Sequence, residues 1–212
     1  NGKTDATIQM REGAPASTDE LAMTMVGALP VAANPKARYV AVIGFGAGMT
    51  THTVLGSSNI VRVDTIEIEP KMVDAARHYR THVSRAFDDP RSNIVYADAR
   101  TFFSSDPARY DLIISEPSNP WVSGIATLFT EEFYLRAHAS LADDGLFVQR
   151  IHGLEISLPL IGSVVKALGN AFDDYALYNL NGRDLMFIAG PKGKVHLDPG
   201  AVLSMPQLRD DM

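Results

Sequence analysis

Four short stretches hold the side chains that could do chemistry, and each stands at the end of an apolar, β-branched run. Gly44-Phe45-Gly46-Ala47-Gly48 follows Val40-Ala41-Val42-Ile43, and Glu67 lies near the end of the strand expected over Ile60–Ile68. Asp98 comes just after Asn93-Ile94-Val95-Tyr96, and Glu116 just after Tyr110–Ser115. Glycines let the backbone turn sharply and approach a ligand that any Cβ would hold away. A helix starting near Met49 adds free N–H groups and a positive dipole end. Gly-x-Gly-x-Gly alone also serves as a plain strand-to-helix connector. The signal sharpens with Glu67, an acidic residue about 20 residues beyond the glycines at the tip of the next strand, placed to accept hydrogen bonds from ribose hydroxyls. Asp98 could accept from an exocyclic amine such as that of adenine, or simply cap the helix that follows. Gly44, Gly46, Gly48, Glu67, Asp98 and the neighbours Ile68 and Ala99 form the expected nucleoside-binding edge.

Glu116-Pro117-Ser118-Asn119-Pro120-Trp121 is the expected reaction side. Its prolines stiffen the loop, and Glu116 could act as a general base or hold a cationic group. Trp121, the single tryptophan, could line a pocket or fill core. Ser118 lacks a Ser-His-Asp context and is discounted as a nucleophile. His78 and His82 stand four apart on one expected helix, the spacing of a metal pair; no third ligand is near, so they read as a solvated face and no metal is expected. The absence of cysteine excludes disulfides, thiolate metal sites and a cysteine nucleophile.

These residues need a scaffold that brings strand ends together. At 212 residues the chain fits one domain with a small appendage. Residues 1–17 read as the remnant of a small N-terminal β domain, with a turn at Asn1-Gly2-Lys3 and a short strand Ala6–Met10. Residues 18–190 are the nucleoside-binding domain, and 191–212 an irregular tail. Thr18 or Asp19 caps a helix through Leu29 with Leu21, Met25 and Leu29 on its apolar face, Met23 and Met25 serve as core filling, and Pro30 and Pro35 close the section. Strand and helix then alternate, the pattern of a doubly wound parallel sheet. A helix runs from Pro70 to about Ser84, another from Glu131 to Leu141 behind a Thr130 cap. Asp143-Asp144-Gly145 is a turn before the strand Leu146–Ile151, and a helix spans 157–170. Asn181-Gly182 between the last apolar runs is a hairpin signal, so the sheet ends with an antiparallel strand.

A net charge of −6 and no basic run argue against nucleic acid as a partner. No apolar stretch reaches the roughly 20 residues that cross a bilayer. The chain starts at Asn1 with no signal-like segment, so it is expected to be processed or part of something longer.

The chain resembles the spermidine/spermine synthases, the polyamine aminopropyltransferases, from about Asn1 to Ala189. The resemblance rests on Val42–Gly48, Ile66-Glu67-Ile68-Glu69, Ala97-Asp98-Ala99-Arg100 and Tyr110–Ser115. More specific still are Leu128-Phe129-Thr130-Glu131-Glu132-Phe133-Tyr134 and Gly145-Leu146-Phe147-Val148-Gln149. Asn119-Pro120-Trp121-Val122-Ser123-Gly124 looks like a bacterial branch, some members of which are fused to membrane segments. The resemblance implies a methyltransferase-like Rossmann domain binding decarboxylated S-adenosylmethionine, or S-adenosylmethionine, without a metal. It implies a homodimer in the cytoplasm, as the soluble part of a protein whose membrane tether lies outside this chain. Glu67 would hold the ribose, Asp98 the adenine amine, and Glu116 would be the base for an amine acceptor met by Asn119, Trp121 and Gln149.

The departures fall on the amine side. The family's Gly-Gly-Gly-Asp-Gly has its Asp replaced by Ala47, and its Asp-Ser-x-Asp-Pro becomes Glu116-Pro117-Ser118-Asn119-Pro120. The family's Tyr-His-Glu of the N-terminal helix is absent. Ammonium groups are held by carboxylates, and this site has lost two. Three readings follow: an aminopropyltransferase of altered acceptor specificity, an S-adenosylmethionine-dependent methyltransferase with Glu116-Pro117-Ser118 in place of Asn-Pro-Pro, or a non-catalytic nucleoside-binding module.

Overall fold

A strand as apolar as Val40-Ala41-Val42-Ile43 is stable only when both faces are covered, and β1 (Tyr39–Ile43) lies inside a sheet with helices on either side. The structure, a computed structural model, describes residues 7–11, 13–105, 109–153 and 156–198. Among them, β1, β2 (Arg62–Glu67), β3 (Ser92–Tyr96), β4 (Tyr110–Ser115), β5 (Leu141–His152), β6 (Asp174–Asn179) and β7 (Asp184–Gly190) form one sheet in the order β3-β2-β1-β4-β5-β7-β6. β1 pairs in parallel with β2 on one side (Val42↔Thr65) and with β4 on the other (Val42↔Ile114). Only β7 is antiparallel, inserted between β5 and β6. The turn before it holds Asn181 and Gly182, whose φ of +80° suits glycine, as the hairpin signal required. This is the α/β, methyltransferase-like Rossmann fold, a mostly parallel sheet with an antiparallel C-terminal strand.

One face is covered by α5 (Ala99–Ser105), α6 (Glu131–Ala139) and α7 (Leu158–Ala171). Its core is aromatic: Phe147 stacks on Phe172 at 5.5 Å, and Phe133 meets Phe103 and Phe147 edge-on. The other face is covered by α1 (Thr18–Ala33) and α2 (Met49–Val54), with Val26, Leu29 and Val54 over Val42, Leu112 and Val148.

Several expected boundaries move. Ser17, not Thr18 or Asp19, caps α1 through a reciprocal box with Glu20, and the helix continues through Pro30 to Ala33. Pro30 sacrifices one backbone bond but buries its ring, and Asn34 N–H still donates to the Pro30 carbonyl at 2.9 Å. The buried face is broader than Leu21, Met25 and Leu29: Ala22, Met23, Val26 and Ala28 are buried while Leu21 and Met25 are half-covered. The segment after β2 is not one helix. α3 (Pro70–Ala76) tightens into a 3₁₀ turn at Arg77–Tyr79, and α4 (Ser84–Asp88) is separate. His78 therefore sits in the 3₁₀ turn and His82 beyond it, so they share no helix face. α6 stops at Ala139, and Asp143-Asp144-Gly145 is a bulge within β5, where the register with β4 jumps from Tyr110↔Leu141 to Leu112↔Leu146.

Residues 7–10 carry no strand, although Ile8 is buried against the Met23–Phe45 cluster. The expected turn at Asn1-Gly2-Lys3, and the Ala6 end of the expected strand, lie outside the described residues, as does the tail from 199. The tail's described part is anchored by Val195, whose carbonyl accepts from Tyr178 Oη at 2.9 Å. No helix among the described residues is long and apolar enough to cross a membrane.

α1 and α2 touch at Gly27, where an added Cβ would lie 3.0 Å from the Thr50 carbonyl oxygen and 3.0 Å from Thr53 Cβ. Gly27→Ala gains up to about 1 kcal/mol in helix propensity but overpacks a backbone contact at about 1–3 kcal/mol. Net destabilisation of about 1 kcal/mol is expected from urea unfolding; an unchanged or higher midpoint would show that the helices separate freely.

Candidate functional site

The order reversal between β2-β1 and β4-β5 opens a crevice at the carboxyl ends of β1 and β4, and a cavity of ≈ 430 Å³ occupies it. Gly44, Gly46 and Gly48 have φ of +84°, +52° and +87°, values that L side chains rarely adopt. Gly44 N–H donates to the Ile66 carbonyl at 2.8 Å, which pulls the turn over β2. Glu67, 7% exposed, then locks it: Oε2 accepts from Phe45 N–H at 2.8 Å and Oε1 from Glu69 N–H at 2.9 Å. A carboxylate oxygen accepts more than one bond, so the same group that shapes the turn can still receive ribose hydroxyls. Gly44, Gly46, Glu67, Ile68, Asp98 and Ala99 all line the cavity. Gly48 does not; it turns the chain into α2 beneath Phe45, whose ring a Cβ would approach to 3.1 Å. Ile68 is 69% exposed, an apolar side chain held at the cavity mouth.

Asp98 takes the capping role considered for it and pairs with Arg100 as well. Its Oδ1 accepts from Arg100 N–H at 2.8 Å, opening α5, and its carboxylate takes the Arg100 fork at 3.1 and 2.6 Å. The guanidinium holds the Asp98 carboxyl below the usual range.

Across the cavity, Glu116 is gripped from two sides. Thr50 Oγ1, 3.1 Å from the Met23 carbonyl, donates to Oε1, and Arg150 Nη1 donates to Oε2 at 3.2 Å. Arg150, 5% exposed, also meets Asp184 Oδ1 through Nε at 3.1 Å and Nη2 at 3.0 Å. Burial alone would lower the Arg150 pKa, but Glu116 and Asp184 more than offset this and raise it. Burial pushes the Asp184 carboxyl up, while Arg150, Asn181 and His152 bring it below its ordinary value. Thr50, Met23 and Arg150, none of them singled out from sequence as cavity residues, line the cavity with Glu116 and Asn119. A signal for Arg150 existed: a cation inside the apolar run Leu146–Ile151 needs a carboxylate partner.

Two expected amine-side residues sit elsewhere. Gln149 is fully buried behind the loop, donating through Nε2 to the Pro117 carbonyl at 3.1 Å and the Arg150 carbonyl at 3.0 Å, so it positions the Glu116 loop. His152 N–H donates to the Ser118 carbonyl at 2.9 Å and pins the same loop. Trp121 is 37% exposed and does not line the cavity. Among the described residues no group of His, Asp or Glu is arranged to hold a metal.

Residues 20–181 match the model of the spermine/spermidine synthase domain. The chain belongs to that family. A polyamine aminopropyltransferase of Clostridium beijerinckii is 36% identical over 126 residues, 59% of this chain and 44% of that protein, so the match spans less than half of the relative. In fold, the chain resembles a spermidine synthase solved in complex with the transition state analogue AdoDATO, with a TM-score of 0.78, 24% identity, and coverage of 89% of this chain and 67% of the other. It also resembles human methyltransferase-like protein 13 in complex with SAH, with a TM-score of 0.67, 16% identity, and coverage of 92% and 90%. Seen as a member of the spermine/spermidine synthase family, the chain puts the two positions that lack the family's Asp in different places. Asn119 lies on the cavity lining, while Ala47 is buried in the cluster of Phe45 and Met49.

The buried charges set a stability prediction. Asp184 has a folded pKa below its unfolded value of about 3.9. Its contribution is therefore present above that value and lost as pH falls through the lower folded one. Asp184→Asn leaves Arg150 with Glu116 alone and should cost about 3 kcal/mol at neutral pH, with the deficit shrinking on acidification. Urea titrations of both proteins across acid pH check this; a deficit that stays constant with pH would contradict it.

Proposed function

We propose that this chain transfers an aminopropyl group from decarboxylated S-adenosylmethionine to an amine by direct displacement. The observation that carries the reading is one cavity with the glycine turn, Glu67 and Asp98 on one wall and Glu116 on the other. On the first wall the Glu67 carboxylate receives the ribose hydroxyls and Asp98 the adenine amine, with Ile68 and Ala99 beside the base. Across from it the amine nitrogen attacks the carbon next to the sulfonium. A C–N bond forms, the C–S bond breaks with its electrons on sulfur, and methylthioadenosine leaves as a neutral thioether. The amine proton passes to Glu116, whose oxygens Thr50 and Arg150 hold in place. Alignment of nitrogen and carbon supplies most of the acceleration, through effective molarities of about 10⁵–10⁸ M, so no metal is needed.

The same reading takes residues 18–190 as the catalytic domain, working as a cytoplasmic homodimer. Methyl transfer from S-adenosylmethionine is the second reading, favoured by Ala47, which leaves the glycine turn without the family's Asp at that place.

Product analysis separates the two: methylthioadenosine marks aminopropyl transfer, and S-adenosylhomocysteine from S-adenosylmethionine would replace it with methyl transfer. Glu116→Gln is expected to lower turnover by about 10²–10⁴ while calorimetric affinity for methylthioadenosine stays within about twofold. Retained turnover would remove Glu116 as the base. Glu67→Ala should abolish that affinity; unchanged binding heat would refute its grip on the ribose.

A further inference from the structure

The acceptor end of the cavity has a charge arrangement that suits a diamine poorly. Among the described residues Glu116 is the one carboxylate on that part of the lining, and it is joined to Arg150 by a single contact of 3.2 Å. Both side chains line the cavity, and Asn119 beside them is neutral. Asp184 backs Arg150 from behind, taking Nε at 3.1 Å and Nη2 at 3.0 Å, and does not itself reach the cavity lining. A guanidinium has five N–H donors. The contacts with Asp184 and Glu116 use one on each nitrogen, which leaves one on Nη1 and one on Nη2 without a partner among the described residues. The other guanidinium on the lining, Arg100, is taken up by Asp98 on the opposite wall.

A diamine bound with one nitrogen at Glu116 would bring its second ammonium into a desolvated space already holding the Arg150 cation, where like charges repel strongly. A zwitterion meets the opposite situation. Its amino group exchanges for Arg150 at Glu116, its carboxylate exchanges for Glu116 at Arg150, and Asp184 keeps the guanidinium in place throughout. Planar N–H donors also match a carboxylate in geometry. Resting on the transfer reading given above, we infer that the acceptor is an amino acid, its amino group held by Glu116 and its carboxylate by Arg150. The amino nitrogen takes the aminopropyl group, its C–N bond forming as the C–S bond of the donor breaks, and its proton goes to Glu116.

The test pairs glycine, β-alanine and γ-aminobutyrate each with the diamine in which an aminomethyl group replaces the carboxylate. Methylthioadenosine release from decarboxylated S-adenosylmethionine is measured with the whole chain. The best amino acid should exceed its paired diamine in kcat/KM by about tenfold or more. Arg150→Gln should lower the ratio of kcat/KM for the amino acid to that for its paired diamine by about tenfold or more; a merely structural Arg150, or one that only holds Glu116, would weaken both alike and leave the ratio unchanged. Should that variant fail to fold, Arg150→Lys keeps the charge and loses the fork, and a fall in the same ratio is expected. Faster transfer to the diamines would overturn the inference and leave the transfer reading standing. If no acceptor yields methylthioadenosine, the transfer reading falls, and calorimetry on the chain saturated with methylthioadenosine decides the inference. Amino-acid binding weakened about tenfold by Arg150→Gln upholds it, and absent or unaltered binding overturns it.

Discussion

The site depends on one topological constraint: β1 has β2 on one side and β4 on the other, both parallel to it. Parallel neighbours need crossovers, and right-handed crossovers to strands on opposite sides of β1 must leave over opposite faces of the sheet. The chain therefore parts above the carboxyl ends of β1 and β4, and nothing of the sheet fills the gap. Every cavity group described here comes from a residue at or just beyond a strand end, or from a helix leaning over the gap. The glycine turn, Glu67, Asp98 and Glu116 follow β1 to β4 in chain order. Their convergence is a property of strand order before it is a property of side chains.

Within that gap, two carboxylates are used in opposite ways. Among the described residues Glu67 is met only by backbone N–H groups, those of Phe45 and Glu69. Such dipoles satisfy an anion without cancelling its charge, so it keeps its capacity to accept from hydroxyls. Glu116 instead faces a full cation, Arg150, and a hydroxyl, Thr50. Replacing dipoles by a guanidinium changes what a ligand meets: Glu67 offers negative potential, and Glu116 a paired plus and minus. One cavity thus carries two walls of different electrostatic character. Because Asp184 fixes Arg150 from outside the cavity, this second charge pattern is built into β5 and β7 and not left to a mobile surface residue.

How far the sequence led follows from which forces were local. β4 was read at its observed limits, because an apolar run buried on both faces is bounded by residues that cannot be buried. The antiparallel end of the sheet was legible because Asn181-Gly182 fixes a turn by its own backbone preferences. Pro30 misled, since its cost inside α1 is offset by burial of its ring, which no local rule reveals. The helix after β2 broke early because only Val73 and Ala76 of α3 are buried, too little apolar surface to carry it past Ala76. Met23 read as core filler and is one, yet it also reaches the cavity; packing and lining are not exclusive when a helix leans over a gap.

On the amine side the sequence identified the loop but not its chemistry. Glu116 and Asn119 line the cavity as expected, whereas Gln149 and Trp121 do not, and Arg150 and Thr50 take their place. The reason is the period of a strand. Gln149 and Arg150 are adjacent in β5, so they point to opposite faces, and the family motif drew attention to the first while the second faces Glu116. A motif marks where a strand belongs in a fold; the alternation of its side chains decides which of two neighbours meets the substrate. Here that alternation sets a buried cation against Glu116 on the cavity lining, and the electrostatics of that wall follow from it.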